Sequence, residues 1–161
     1  MNMFRIGDYI VYPMHGAGTI EAIEERNVMG MKKKYFVLII PHGDMKIMIP
    51  CDDTDSMGVR RVIKIAEVEI VRTILCGKSS EMAKIWNRRY RDNMEKLKTG
   101  KITHVAEVVR DLMRVDSEKK LSTGEKKMLS NAKQILISEL SLVSGQAEDE
   151  IMTQIEKQVM S

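Results

Sequence analysis

Trp86 is the only tryptophan in this 161-residue chain, and three arginines fall within the five residues after it, in Ile85-Trp86-Asn87-Arg88-Arg89-Tyr90-Arg91. A flat apolar ring beside guanidinium groups suits nucleic acid: the ring pushes against a base step while the arginines hold phosphates on either side. A lone tryptophan at helical spacing is more often a core residue, and the stretch by itself does not decide between the two.

Other candidate chemistry is poor. His15, His42 and His104 have no carboxylate or thiol partner at a recognisable spacing. Gly77-Lys78-Ser79 resembles the end of a phosphate-binding loop, but Arg72 stands where the first glycine belongs, so it reads as a helix stop followed by a serine cap. Asp52, Asp53 and Asp55 lack the glycine and distal glutamate of a calcium loop and read as linker acids. Cys51 and Cys76 form no metal-ligand spacing and are expected to be buried free thiols. No enzyme, metal or cofactor is expected. The first residues do not have the pattern of a secretory signal, and the aliphatic run Val37–Ile40 is too short to span a bilayer, so a cytoplasmic protein is expected.

The elements that must position Trp86 divide the chain into two unlike halves. Residues 1–58 carry 6 Lys+Arg against 8 Asp+Glu and show short β-type runs: Tyr9–Tyr12, Thr19–Glu24, Tyr35–Ile40 and Met45–Ile49. Glycine-containing turns at His15–Gly18, Met29–Gly30 and Pro41–Asp44 separate them. Four or five short antiparallel strands predict a small SH3-like or Tudor-like barrel, too small to enclose a substrate. Residues 59–161 read as all helix, so the fold class is α+β, with about five helices in a C-terminal bundle. Ile102, Val105, Ala106, Val109, Leu112 and Met113 make an apolar helix face. Ser122-Thr123-Gly124-Glu125 has the form of a capping box, in which the serine hydroxyl accepts from the Glu125 amide and the carboxylate returns to the Ser122 amide. That helix stops at Gly145, and others are expected around Val68–Leu75 and over Ala147–Val159.

Charge concentrates around Trp86. Residues 78–101 hold 8 Lys+Arg against 3 Asp+Glu, a plausible electrostatic footprint for nucleic acid that a solvated helix face can also show. On a helical wheel Met82, Trp86, Tyr90, Met94 and Leu97 share one side, so a helix starting near Ser80 turns the indole into the core. Ala83, Tyr90, Met94 and Leu97 suffice as a packing face without it, and a later start leaves the indole exposed. Arg88 and Arg91 fall on the opposite, solvent-facing side, while Arg89 borders the apolar stripe.

The chain resembles the CarD/CdnL family of bacterial transcription regulators over essentially its whole length. The resemblance rests on Phe4-Arg5-Ile6-Gly7-Asp8, Val11-Tyr12-Pro13, His15-Gly16, Gly58-Val59-Arg60, Trp86-Asn87-Arg88-Arg89-Tyr90, Ala106–Leu112 and Leu121–Leu129, in that order. It implies a Tudor-like module over 1–58 that binds the RNA polymerase β subunit, and a helical module over 59–161 that contacts promoter DNA. Trp86 then corresponds to a wedge in the minor groove at the upstream edge of the transcription bubble, with Arg88, Arg89, Arg91 and Lys126 along the backbone and little sequence preference. For the polymerase the resemblance points to Ile47–Pro50, and within and around it to Arg26, Val37, Met48 and Pro50. Members of the family can carry arginine where this chain has Met48, so an apolar contact replaces a salt bridge there. Arg26, beside Glu24 and Glu25, can equally be a local charge partner. The implied protein is a monomer or weak dimer. The competing reading is a protein-only adaptor whose barrel binds a partner and whose helices dimerise.

Overall fold

The computed structural model of the chain describes residues 3–161. Its first part is a five-stranded antiparallel sheet of β1 (Tyr9–Tyr12), β2 (Gly16–Val28), β3 (Met31–Ile40), β4 (Met45–Pro50) and β5 (Arg60–Arg61), in the order β4-β3-β2-β1-β5. This matches the strand number and antiparallel connectivity of the expected Tudor-like module. The sheet stays open, because its end strands β4 and β5 do not pair with one another. Alternation sends Ile10, Ile20, Phe36, Leu38, Ile40 and Ile49 to one face, where they form a core with Phe4 and Val59. Each such side chain, fully buried, contributes about 1.5–3 kcal/mol.

Two differences from the sequence reading have local causes. Gly16 and Gly18, expected in a turn, are strand residues; the reversal is made by Pro13–His15, closed by a His15 N–H to Tyr12 carbonyl bond of 3.0 Å. β2 and β3 are also longer than their apolar runs. Past Tyr35, which pairs with Pro50, β3 has only β2 beside it, so the hairpin extends as a polar two-stranded ribbon to its turn at Met29–Gly30.

Five helices follow: α1 (Val68–Cys76), α2 (Trp86–Lys98), α3 (Ile102–Glu118), α4 (Thr123–Ser144) and α5 (Glu148–Met160). α3 packs against all four others. Its residues Val105, Ala106, Val109 and Leu112 are buried, as the apolar stripe predicts, and Val108, Arg110 and Asp111 on other sides are buried too because the helix is central. α4 starts at Ser122, whose Oγ accepts from the Glu125 N–H (3.2 Å), and stops at Gly145 in the left-handed conformation (φ 73°). Among the described residues, no helix is long and apolar enough to cross a membrane. Cys51 and Cys76 are free thiols; Cys51 is half-buried, but Cys76 is exposed at the end of α1, which corrects the expectation that both are buried.

Two consecutive residues of α4 hydrogen-bond to the sheet side. Ser138 Oγ accepts from the Ala17 N–H (2.9 Å). A side chain on Gly16 would bring its Cβ within 2.9 Å of that oxygen, at a φ of +119°, so glycine is required there on two counts. Glu139, 1% exposed, accepts from Arg60 through both carboxylate oxygens (2.8 and 2.7 Å) and from the Ile63 N–H (2.8 Å). Because β5 pairs with β1, the sheet runs past the division drawn after Gly58, and Arg60 belongs to both the sheet and the joint.

Candidate nucleic-acid interface

The segment from Gly77 to Ile85, which leads into α2, has no regular structure, and α3 holds it. Arg110 donates to the Ile74 carbonyl (3.0 Å), Ser80 Oγ (2.9 Å) and the carboxylate of Asp111 (2.8 Å), which in turn accepts from the Ser80 N–H (3.2 Å). Arg114 donates to the carbonyls of Gly77 (2.7 Å) and Leu75 (3.1 Å) and to Ser79 Oγ (2.9 Å). Asn93 of α2, 2% exposed, reaches back to the Met82 sulfur (3.8 Å). These contacts tie down Gly77–Met82, and Ile85, with a ψ of 121°, is still non-helical, so α2 begins at Trp86.

That starting point decides the question periodicity left open. Trp86 shares the wheel side of Tyr90, Asn93 and Leu97, yet as the first residue of α2 it is 54% exposed. Ile85, not singled out from the sequence, is 66% exposed beside it, so the apolar tip is two residues wide. Arg88 and Arg91 are exposed, as the wheel predicts, and Lys126 and Lys127 are exposed in the first turn of α4. No acidic residue and no side-chain cap occupy the first turn of α2, so its partial positive charge adds to that of the side chains.

Arg89 is a correction. The resemblance set it along the DNA backbone, but it is 7% exposed and donates to both carboxylate oxygens of the fully buried Glu125, through Nε (2.5 Å) and an Nη (2.7 Å). A guanidinium that borders an apolar stripe can turn inward when a carboxylate waits there, and α4 supplies one 36 residues on. The capping box is consequently half-formed: the Glu125 carboxylate turns to Arg89 and to Ser122 Oγ (3.1 Å). Hydrogen bonding to Arg89 holds the Glu125 carboxyl below its ordinary range against the opposing effect of burial, and the same bond raises Arg89. The pair joins the first turns of α2 and α4, so the turn that carries Trp86 and Arg88 neighbours the one that carries Lys126.

The other candidate set lies on the sheet. Directly opposite residues of antiparallel strands share a face, and the register places Ala22, Val37 and Met48 in one row, Glu24, Tyr35 and Pro50 in the next, and Arg26 with Lys33 beyond. Arg26, Val37, Met48 and Pro50 therefore lie on one face, opposite to the sheet's core. Met48 and Pro50 are half-buried, and Arg26 is exposed with a 3.1 Å ion pair to Glu24, the local partnership its sequence context allowed. Val37 is corrected: at 2% exposure in a central strand, its side chain cannot be a contact residue and instead underlies the row. β4 carries Met48 and Pro50 at a sheet edge, with its outer backbone side unpaired by any described strand.

The molecule is thus of a two-module class: an open-edged sheet clamped to a helical bundle that presents an indole among basic side chains. Family comparison makes this specific. Residues 4–63 match the CarD-like/TRCF RID domain and residues 70–156 match the C-terminal domain of CarD. The chain is also 46% identical over 149 residues to a Bacillus subtilis (strain 168) protein called "Putative transcription factor YdeB", covering 92% of this chain and 97% of that protein. The chain belongs to the CarD family.

Proposed function

We propose that this protein is a non-enzymatic, cytoplasmic regulator of transcription initiation that binds the RNA polymerase β subunit with its sheet and promoter DNA with its helices. Family membership across both modules and the name of the Bacillus relative support transcription as the setting. The observation that carries the DNA half is the half-exposed indole at the start of α2, with Arg88 and Arg91 exposed in its first two turns and Lys126 exposed in the first turn of α4. The polymerase half is supported by the shared face of Arg26, Met48 and Pro50 next to an open strand edge, where backbone pairing can add a partner strand.

The mechanism is differential binding. A protein tethered to polymerase stabilises melted promoter DNA only when its contacts are stronger there than on closed duplex. Unstacking a base step costs roughly a few kcal/mol, and at the upstream fork of the bubble that cost is already met, so an indole gains most there. The basic side chains add affinity with little sequence information.

Salt dependence tests the DNA half. With Arg88, Arg91 and Lys126 as the phosphate contacts, log affinity for forked DNA falls with log salt at a slope of about −2.7. Arg91→Gln reduces that slope by about one. An affinity insensitive to salt, or no DNA binding even with polymerase present, contradicts the proposal and favours a protein-only adaptor.

A further inference from the structure

We infer that the buried Arg89–Glu125 pair is a positioning device: it fixes the attitude of the Trp86 indole by locking the first turn of α2 onto the first turn of α4. The inference rests on the reading of Trp86 as the DNA wedge.

Three observations carry it. The first three residues of α2, Trp86, Asn87 and Arg88, are all exposed, so none of them anchors the turn. The helix also lacks a side-chain N-cap. Arg89 is therefore the first inward-facing residue, and its two bonds to Glu125, at 2.5 and 2.7 Å, fix both the separation and the plane of the guanidinium. Tyr90, the next residue, is half-buried against the bundle core beside Gly124 of α4, a contact that fixes no orientation, and the fully buried Asn93 and Leu97 begin a full turn further on. Glu125 is itself held by Ser122 Oγ within the first turn of α4, and Lys126 is the next residue. A two-point bond in this place sets the indole and a basic side chain of another helix in one fixed relation.

A stabilising role and a positioning role diverge in the variant that replaces the pair by apolar residues of similar size. Such a replacement often keeps stability, because the cost of burying two charges disappears with their attraction. It removes the two-point orientation in every case. Trp86 is the sole tryptophan, so intrinsic fluorescence reads its motion without a label.

The experiment compares wild type, Arg89→Met/Glu125→Leu, Glu125→Gln and Trp86→Ala, each checked by thermal melting. The double variant is expected to melt with the wild type, to lose Trp86 fluorescence anisotropy, and to lose most of the affinity for a forked DNA duplex that Trp86→Ala loses. If the double variant does not fold, Glu125→Gln, which keeps the shape and a neutral acceptor, is expected to show a smaller fall in both signals. A folded variant whose anisotropy and fork affinity equal those of the wild type overturns the inference. Should Trp86→Ala bind forked DNA as the wild type does, the wedge reading fails, and the anisotropy of the free protein still decides whether the pair positions the indole.

Discussion

Two arginine–glutamate pairs land on α4 and are built differently. Glu139 holds Arg60 and the Ile63 N–H, and the neighbouring Ser138 holds Ala17, while Arg60 also donates to the carbonyls of Gly100 (3.0 Å) and Arg61 (2.9 Å). The Arg60 side chain is 27% exposed, so water reaches it. Glu125 holds Arg89 with only Ser122 for support, and both side chains are sealed from solvent, at 8% and 0% exposure. The joint between sheet and bundle is redundant in its hydrogen bonds, whereas the joint behind the indole has this one ion pair, with the half-buried Tyr90 packed beside it near Gly124. Fourteen residues of helix separate the two glutamates, about 21 Å along α4 at 1.5 Å per residue. α4 is thus a strut with the proposed polymerase-binding module clamped near one end and the proposed DNA wedge near the other.

Substitutions can break this comparison. Glu125→Ala strands a buried arginine and is expected to cost about 3–5 kcal/mol, the largest effect of the set, read in urea denaturation. The same pair has a pH signature. The Glu125 carboxyl is held below its unfolded value, so its contribution is present at neutral pH and is lost as pH falls through the depressed folded-state value. Glu125→Gln is expected to be less stable than wild type at pH 7, with the gap closing in acid; a gap independent of pH contradicts the assignment. Glu139→Ala is expected to cost less, about 2–3 kcal/mol, because Arg60 keeps two carbonyl partners and water while the Ile63 N–H loses its acceptor. A cost above that of Glu125→Ala removes the distinction between the joints. Ser122→Ala, which removes a helix cap and the second contact to Glu125, is expected to cost about 1 kcal/mol by the same measurement.

Features set by neighbouring residues were legible in the sequence. The short β-type run Tyr9–Tyr12, the apolar stripe from Ile102 to Leu112, the Ser122 cap and the Gly145 stop all act within one or two turns of chain, and each appears where expected. Features that failed depend on distant partners. The segment before α2 is braced by Arg110 and Asp111, some 30 residues from Ser80, and no wheel of Met82–Leu97 contains that information. Arg89 reads as a surface arginine until Glu125 is found opposite it, and the capping-box pattern had already assigned that carboxylate elsewhere. The family motifs also carry structure: Gly16 and Arg60 build the joint between sheet and bundle, and Arg110 and Asp111 brace the approach to Trp86.

The central claim is that one molecule bridges polymerase and the upstream fork, and the lifetime of the open promoter complex with purified polymerase tests it most directly. Compared with wild type, Trp86→Ala should bind polymerase normally and lose most of the lifetime gain, while Arg26→Glu should lose the gain by failing to bind polymerase. An open-complex lifetime that is unchanged by Trp86→Ala contradicts the account.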